Sequence, residues 1–176
     1  MASGVKLRVG VLTVSDRSAD GTREDVSGAR ITEWCAKHQY TVAYRSVVPD
    51  ETAAIVPLLT AWADDDCDLV LTTGGTGLTA RDVTPEATRA VIEREVPGLQ
   101  EELRRKGLES TPFSILSRGV AGTRGRTLIV NLPGSPGGVS DGLGVLGPLV
   151  EHAAALLRGE DAPHEAQARG ASGGVG

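Results

Sequence analysis

Residues 69–88 pass from unbroken apolarity into a cluster of glycines with nothing between, and few folds accept that order. The run LVLTT is aliphatic and β-branched on both faces of any strand it forms, so that strand must be covered on both sides. The glycines of GGTG then impose a tight turn. Asp82 follows, and Thr84-Pro85-Glu86 reads as an N-cap, a first-turn proline and an acid at the positive end of a helix. Strand, glycine turn, carboxylate and helix start in that order place backbone N–H groups and an acid at the carboxyl edge of a sheet. That edge is where phosphate-bearing ligands bind α/β proteins.

The same grammar recurs along the chain. Residues 7–14, 40–48, 68–73 and 127–132 are short apolar, β-branched runs that predict four strands. Between them, Ile31, Trp34, Cys35 and His38 fall at i, i+3, i+4 and i+7 on a helix opening near Asp25. Ile55, Leu58, Leu59 and Trp62 repeat that spacing after Pro49-Asp50-Glu51. Leu99 and Leu103 mark a further short helix, and Leu146, Leu149, Val150, Ala153, Leu156 and Leu157 form the last stripe. Strands alternating with helices predict an α/β fold of three layers, a mainly parallel sheet with helices on both faces. A single domain is expected over residues 5–158. Residues 118–126 read as a flexible surface connection, and residues 159–176 as a Gly/Ala-rich tail with too little apolar surface to order itself.

A net charge of −5 argues against general affinity for nucleic acid or an anionic membrane. No apolar run reaches the length of a membrane span or a signal peptide. Cys35 and Cys67 sit among apolar residues, where cysteine behaves as a small hydrophobe, so the expected setting is the reducing cytoplasm.

Four loops follow the carboxyl ends of four strands: Ser15-Asp16, Pro49-Asp50, residues 74–82 and residues 133–136. In a doubly wound sheet they converge on one crevice. Three carry a carboxylate, and hard cations such as Mg²⁺ favour carboxylate and phosphate oxygens, which predicts a metal-assisted phosphate site. A Walker A loop is excluded because no lysine follows the glycines; the lysines are Lys6, Lys37 and Lys106. Gly75, Gly77 and Ala80 match G-x-G-x-x-A, but on the third strand and too far from the helix for a dinucleotide fingerprint. His38, His152 and His164 have no metal-ligand spacing. Ser15, Ser117 and Ser135 lack a nucleophile elbow, so donors to a polar ligand is the better role for them. The acidic run from Asp64 to Asp68 reads as a solvated helix exit. Arg81 and Arg118 flank the site, each with the planar fork that suits phosphate.

The motifs LTVSD at 12–16, VPDE at 48–51, TTGGTG at 72–77, ARDVTPEAT at 80–88, LSR at 116–118 and NLPGSP at 131–136 make the chain resemble the Mog/MoaB family of molybdenum-cofactor biosynthesis proteins, including gephyrin-type domains. The likeness runs from about residue 8 to 159. It implies the MogA/MoaB-like molybdopterin-binding fold and a molybdopterin adenylyltransferase that uses Mg²⁺ with ATP and molybdopterin as substrates. Pyrophosphate would be the by-product. By motif, Asp50 and Asp82 would be the catalytic and metal-binding acids, with Asp25 a further family acid. Substrate would be met by Ser15, Asp16, Gly74, Gly75, Thr76, Gly77, Arg81, Ser117, Arg118, Asn131, Pro133, Gly134 and Ser135. The family resemblance also implies a homotrimer and dealings with other molybdenum-cofactor proteins. Two other readings stand beside it: a non-catalytic MoaB-type scaffold that binds a pterin or a protein through the same surface, and a nicotinamide-dependent dehydrogenase.

Overall fold

A computed structural model describes residues 6–160. The tail expected from residue 159 therefore lies, beyond Glu160, outside the described residues. Among the described residues six strands form one sheet in the order β2-β1-β3-β6-β5-β4: β1 (Arg8–Val14), β2 (Thr41–Val48), β3 (Leu69–Thr73), β4 (Arg94–Glu95), β5 (Ala121–Arg124) and β6 (Thr127–Leu132). The first three and β6 run parallel, while at one edge β5 pairs antiparallel with β6 and β4 antiparallel with β5. The helices among the described residues are α1 (Asp16–Ala19), α2 (Val26–Lys37), α3 (Thr52–Asp64), α4 (Thr84–Arg89), α5 (Pro97–Gly107), α6 (Pro136–Leu146) and α7 (Val150–Arg158). A 3₁₀ helix spans Pro112–Leu116.

Alternation along each strand divides the core in two. Val9, Val11, Leu69, Leu71, Leu128, Val130 and Leu132 face a layer built from α2, α5, α6 and α7. Leu12, Val14, Val70 and Ile129 face α3 and α4, with Trp62 and Ala87 closing that side. Both faces of β1, β3 and β6 are thus buried, which is why their sequences read as continuous apolar runs. Because the chain passes from β1 to β2 on one side and on to β3 on the other, the strand order reverses between β1 and β3. A crevice opens above that reversal, at the carboxyl ends.

Four local expectations are corrected. Residues 118–126 are no loose connection: Val120 and Ala121 are buried, and β5 pairs with β6 through the two-residue turn at Gly125 and Arg126. The stripe from Leu146 to Leu157 is two helices, since α6 ends at Leu146 and α7 begins at Val150. The cap of α4 is Val83, not Thr84; fully buried Thr84 turns its hydroxyl to the Gly74 carbonyl at 2.9 Å. Of the acidic run, Asp68 is not solvated: it accepts from the Arg8 amide at 2.8 Å and from Arg158 at 2.7 and 2.9 Å. Cys35 and Cys67 are free and buried, and burial raises their thiols to about 12 and about 11, so both are inert packing groups.

Candidate functional site

The loops after β1 and β2 are laced to each other. Ser15 leaves β1 with its amide on the Val48 carbonyl at 2.9 Å and caps α1 through its hydroxyl. The Asp16 amide donates to Asp50 Oδ2 at 2.8 Å, and the Asp50 amide donates to Asp16 Oδ1 at 2.9 Å. Arg81 then grips the Asp16 carboxylate with Nε at 3.0 Å and Nη2 at 2.7 Å. The Arg81 fork and the Asp50 amide hold the Asp16 carboxyl below the usual carboxylate range. Asp50 moves the other way. Burial raises its carboxyl, and the charges of Asp16 and Asp82 add to the rise.

The glycine turn brings the second acid in. Gly74 and Gly75 take φ of 95° and 65°, in the left-handed region that a side chain resists. A Cβ on Gly74 would strike the Val14 carbonyl oxygen. One on Gly75 would strike Thr84 Oγ1 and stand 3.0 Å from Asp50 Oδ1. The turn is pinned from beyond by the Thr84 amide on the Gly75 carbonyl at 3.1 Å. Asp82 is anchored through one oxygen only, Oδ2, by the Thr79 amide at 2.9 Å and hydroxyl at 2.7 Å. Among the described residues, neither Asp50 Oδ1 nor Asp82 Oδ1 has a hydrogen-bond partner. Each acid therefore keeps one anchored and one available oxygen.

Asp50 and Asp82 line the same cavity of about 470 Å³, together with Ser15, Asp25, Gly74, Gly75, Gly134 and Ser135. Asp25 caps α2 through the Gly28 amide at 2.8 Å and accepts from Thr13 at 2.9 Å, so its carboxylate is largely engaged in structure. A second cavity of about 790 Å³ is lined by Thr76, Gly77, Ser117, Pro133 and Ser135 against apolar walls from Leu78, Leu103, Phe113 and Leu116. Ser135 belongs to both. A groove of about 800 Å³ between α2 and α6, beside Trp34 and His38, holds only one acid, Glu33, and no glycine turn.

Four of the candidate residues lie elsewhere. Asp16 and Arg81 form a rim pair outside both cavities. Asn131, 1% exposed, lies beneath the crevice and ties Val120, Thr72 and Thr88 together with its amide. Arg118 points its guanidinium at protein carbonyls and Glu86. Sequence reasoning overlooked Thr73 and Ser27, whose hydroxyls hold the Pro133 and Gly134 carbonyls at 2.6 and 2.8 Å. It also overlooked Phe113 and Leu116. Their signal was a run of large apolar side chains left out of every helical stripe, with Phe113 73% exposed.

No group of three or more His, Cys, Asp or Glu among the described residues is placed to hold a metal ion. Two half-engaged carboxylates lining one cavity do suit Mg²⁺, which binds through one or two carboxylates while substrate phosphates and water complete its shell.

The chain matches the family described as probable molybdopterin binding domain over residues 10–152. It is 40% identical to a molybdopterin adenylyltransferase of Helicobacter pylori over 156 residues, covering 87% of this chain and 89% of that protein. It is 42% identical to gephyrin of Dictyostelium discoideum over 161 residues, which are 85% of this chain but only 22% of gephyrin. The crystal structure of the molybdopterin biosynthesis enzyme MoaB from Thermus thermophilus superposes with a TM-score of 0.82 at 52% identity, covering 88% of this chain and 98% of that one.

Proposed function

Since the chain belongs to the probable molybdopterin binding family, we propose that it acts in molybdenum-cofactor biosynthesis as a molybdopterin adenylyltransferase. The terminal phosphate of molybdopterin attacks the α-phosphorus of ATP; a new P–O bond forms, the α–β P–O bond breaks, and pyrophosphate leaves with the electron pair. The attacking phosphate monoester, with a second pKa of about 6, is largely ionised at neutral pH and needs no protein base. That agrees with a crevice whose lining serines have, among the described residues, no histidine or lysine beside them to activate a hydroxyl, and relatives named molybdopterin adenylyltransferase support the reading.

The single observation that carries the proposal is the pair of acids, Asp50 and Asp82, that line one polar cavity of about 470 Å³, each with an Oδ1 that has no hydrogen-bond partner among the described residues. Bound there, Mg²⁺ would neutralise the phosphate charge that builds up as the α–β bond breaks. Asp50 and Asp82 would hold it. No hydrogen bond among the described residues takes up the amides of Gly75, Thr76 and Gly77, which suits them to phosphate oxygens. The adjoining apolar-walled cavity, reached past Ser135, fits a flat heterocycle. A homotrimer belongs to the same reading and is checked by light scattering.

Pyrophosphate release from molybdopterin and Mg-ATP tests the proposal directly. Asp50→Asn and Asp82→Asn proteins, folded by circular dichroism, should each lose about 100-fold or more in turnover. Retained turnover in both would remove the roles assigned to the acids. Tight molybdopterin binding without pyrophosphate release would make the protein a binding scaffold.

A further inference from the structure

Asp82 sits at the end of a loop, from Gly77 to Asp82, that belongs to no helix or strand. Its own internal bonds, from Asp82 N to the Thr79 carbonyl and from Thr79 to Oδ2, fix the carboxylate relative to Thr79 but not relative to the sheet. The tether comes from the stretch between the 3₁₀ helix and β5. Arg118 donates Nε to the Gly77 carbonyl at 2.7 Å and Nη2 to the Asp82 carbonyl at 2.6 Å. Its Nη1 pairs with the Glu86 carboxylate in the first turn of α4. The Arg118 amide closes the same stretch by donating to the Thr76 carbonyl at 2.9 Å. One guanidinium thus joins the start of the loop, its end and the helix after it.

We infer that Arg118, steered by Glu86, is the positioning residue of the Asp82 loop, a clamp that sets where the acid's available oxygen stands. It is not a phosphate ligand. Arg81 differs in kind: its side chain is 57% exposed and its rim partner Asp16 41%, a pairing that solvent competes for readily. Arg118 has fork donors committed to two loop carbonyls at once, a span that the compact ammonium of a lysine does not reproduce.

The kinetic half of the inference rests on the adenylyltransferase reading; the structural half does not. Amide hydrogen exchange is measured at Thr79 and Asp82, whose amides make the loop's own hydrogen bonds, in wild type, Arg118→Ala, Arg118→Lys and Glu86→Gln, beside Mg²⁺ dependence and steady-state kinetics. Exchange of these amides should accelerate in both Arg118 variants while the global melting midpoint holds, and Glu86→Gln should move them less in the same direction. The Mg²⁺ concentration for half-maximal pyrophosphate release should rise about 10- to 100-fold. The fall in rate should lie in kcat, with KM for molybdopterin within about twofold. Unchanged loop exchange in Arg118→Ala with raised KM and retained kcat would overturn the inference and return Arg118 to the substrate. Should Arg118→Ala fail to fold, Glu86→Gln carries the comparison. Exchange needs no substrate, so an inactive wild type would refute the proposed function while the clamp is still judged by its own measurement.

Discussion

At Asp50 the ionised carboxylate is opposed by burial and by two neighbouring acids, with a backbone amide and the rim guanidinium of Arg81 as the compensation. Its pKa is therefore raised in the folded state. The folded protein keeps that proton to a higher pH than the unfolded chain does, so stability falls as pH rises through the interval between the two values and stays lower above it. Asp50→Asn should then raise the thermal midpoint of the ligand-free protein at neutral pH even as turnover falls about 100-fold or more, and the gain should vanish below the ordinary carboxylate range. Asp16 has the opposite sign. Arg81 lowers its carboxyl, so Asp16→Asn should weaken the fold at neutral pH and matter little in acid. Gly75→Ala should cost about 1–3 kcal/mol in denaturant unfolding, because its φ and the Thr84 hydroxyl both refuse a Cβ. These acids and glycines were legible in the sequence as residues. Their bonding was not, because the reciprocal lacing of Asp16 and Asp50 joins positions 34 apart that only the sheet brings together.

The elements were legible in proportion to how completely they are covered. β1, β3 and β6 are buried on both faces, and each appears within a residue of its expected bounds. β4 has two residues and β5 four, with edge pairing and a glycine hairpin in place of a long apolar run. α6 escaped notice for a different reason. Its sequence, PGGVSDGLGVL, is poor in intrinsic helix propensity, and it is held by Val139, Leu143 and Leu146 against the core and by the Ser135 cap. The last turn of α7 is fastened to the sheet by the two donors of Arg158 on Asp68. Arg158→Ala leaves Asp68 largely buried with only the Arg8 amide, and should cost about 1–3 kcal/mol in urea unfolding. The equivalent change at rim-exposed Arg126, whose partner Asp66 is solvated, should be close to neutral.

As a whole the molecule is a doubly wound sheet in which Asp50 and Asp82 line one cavity over a strand reversal, so ligands that bridge them should stabilise the fold as they bind. Mg-ATP at about 100 times its dissociation constant should add about 2.7 kcal/mol, seen as a higher melting midpoint that the Asp50→Asn, Asp82→Asn double variant no longer shows. No helix among the described residues is long and apolar enough to cross a membrane. On the proposed function, the half-engaged state of both carboxylates would also govern which ion is accepted. A carboxylate with one oxygen already tied down meets a cation end-on through the other. That suits a small octahedral ion that keeps its water, and it denies a larger ion the two-oxygen grip and higher coordination it favours. Calcium should accordingly be a poor surrogate for magnesium, and the discrimination would reside in two backbone amides and a threonine hydroxyl that never touch the ion.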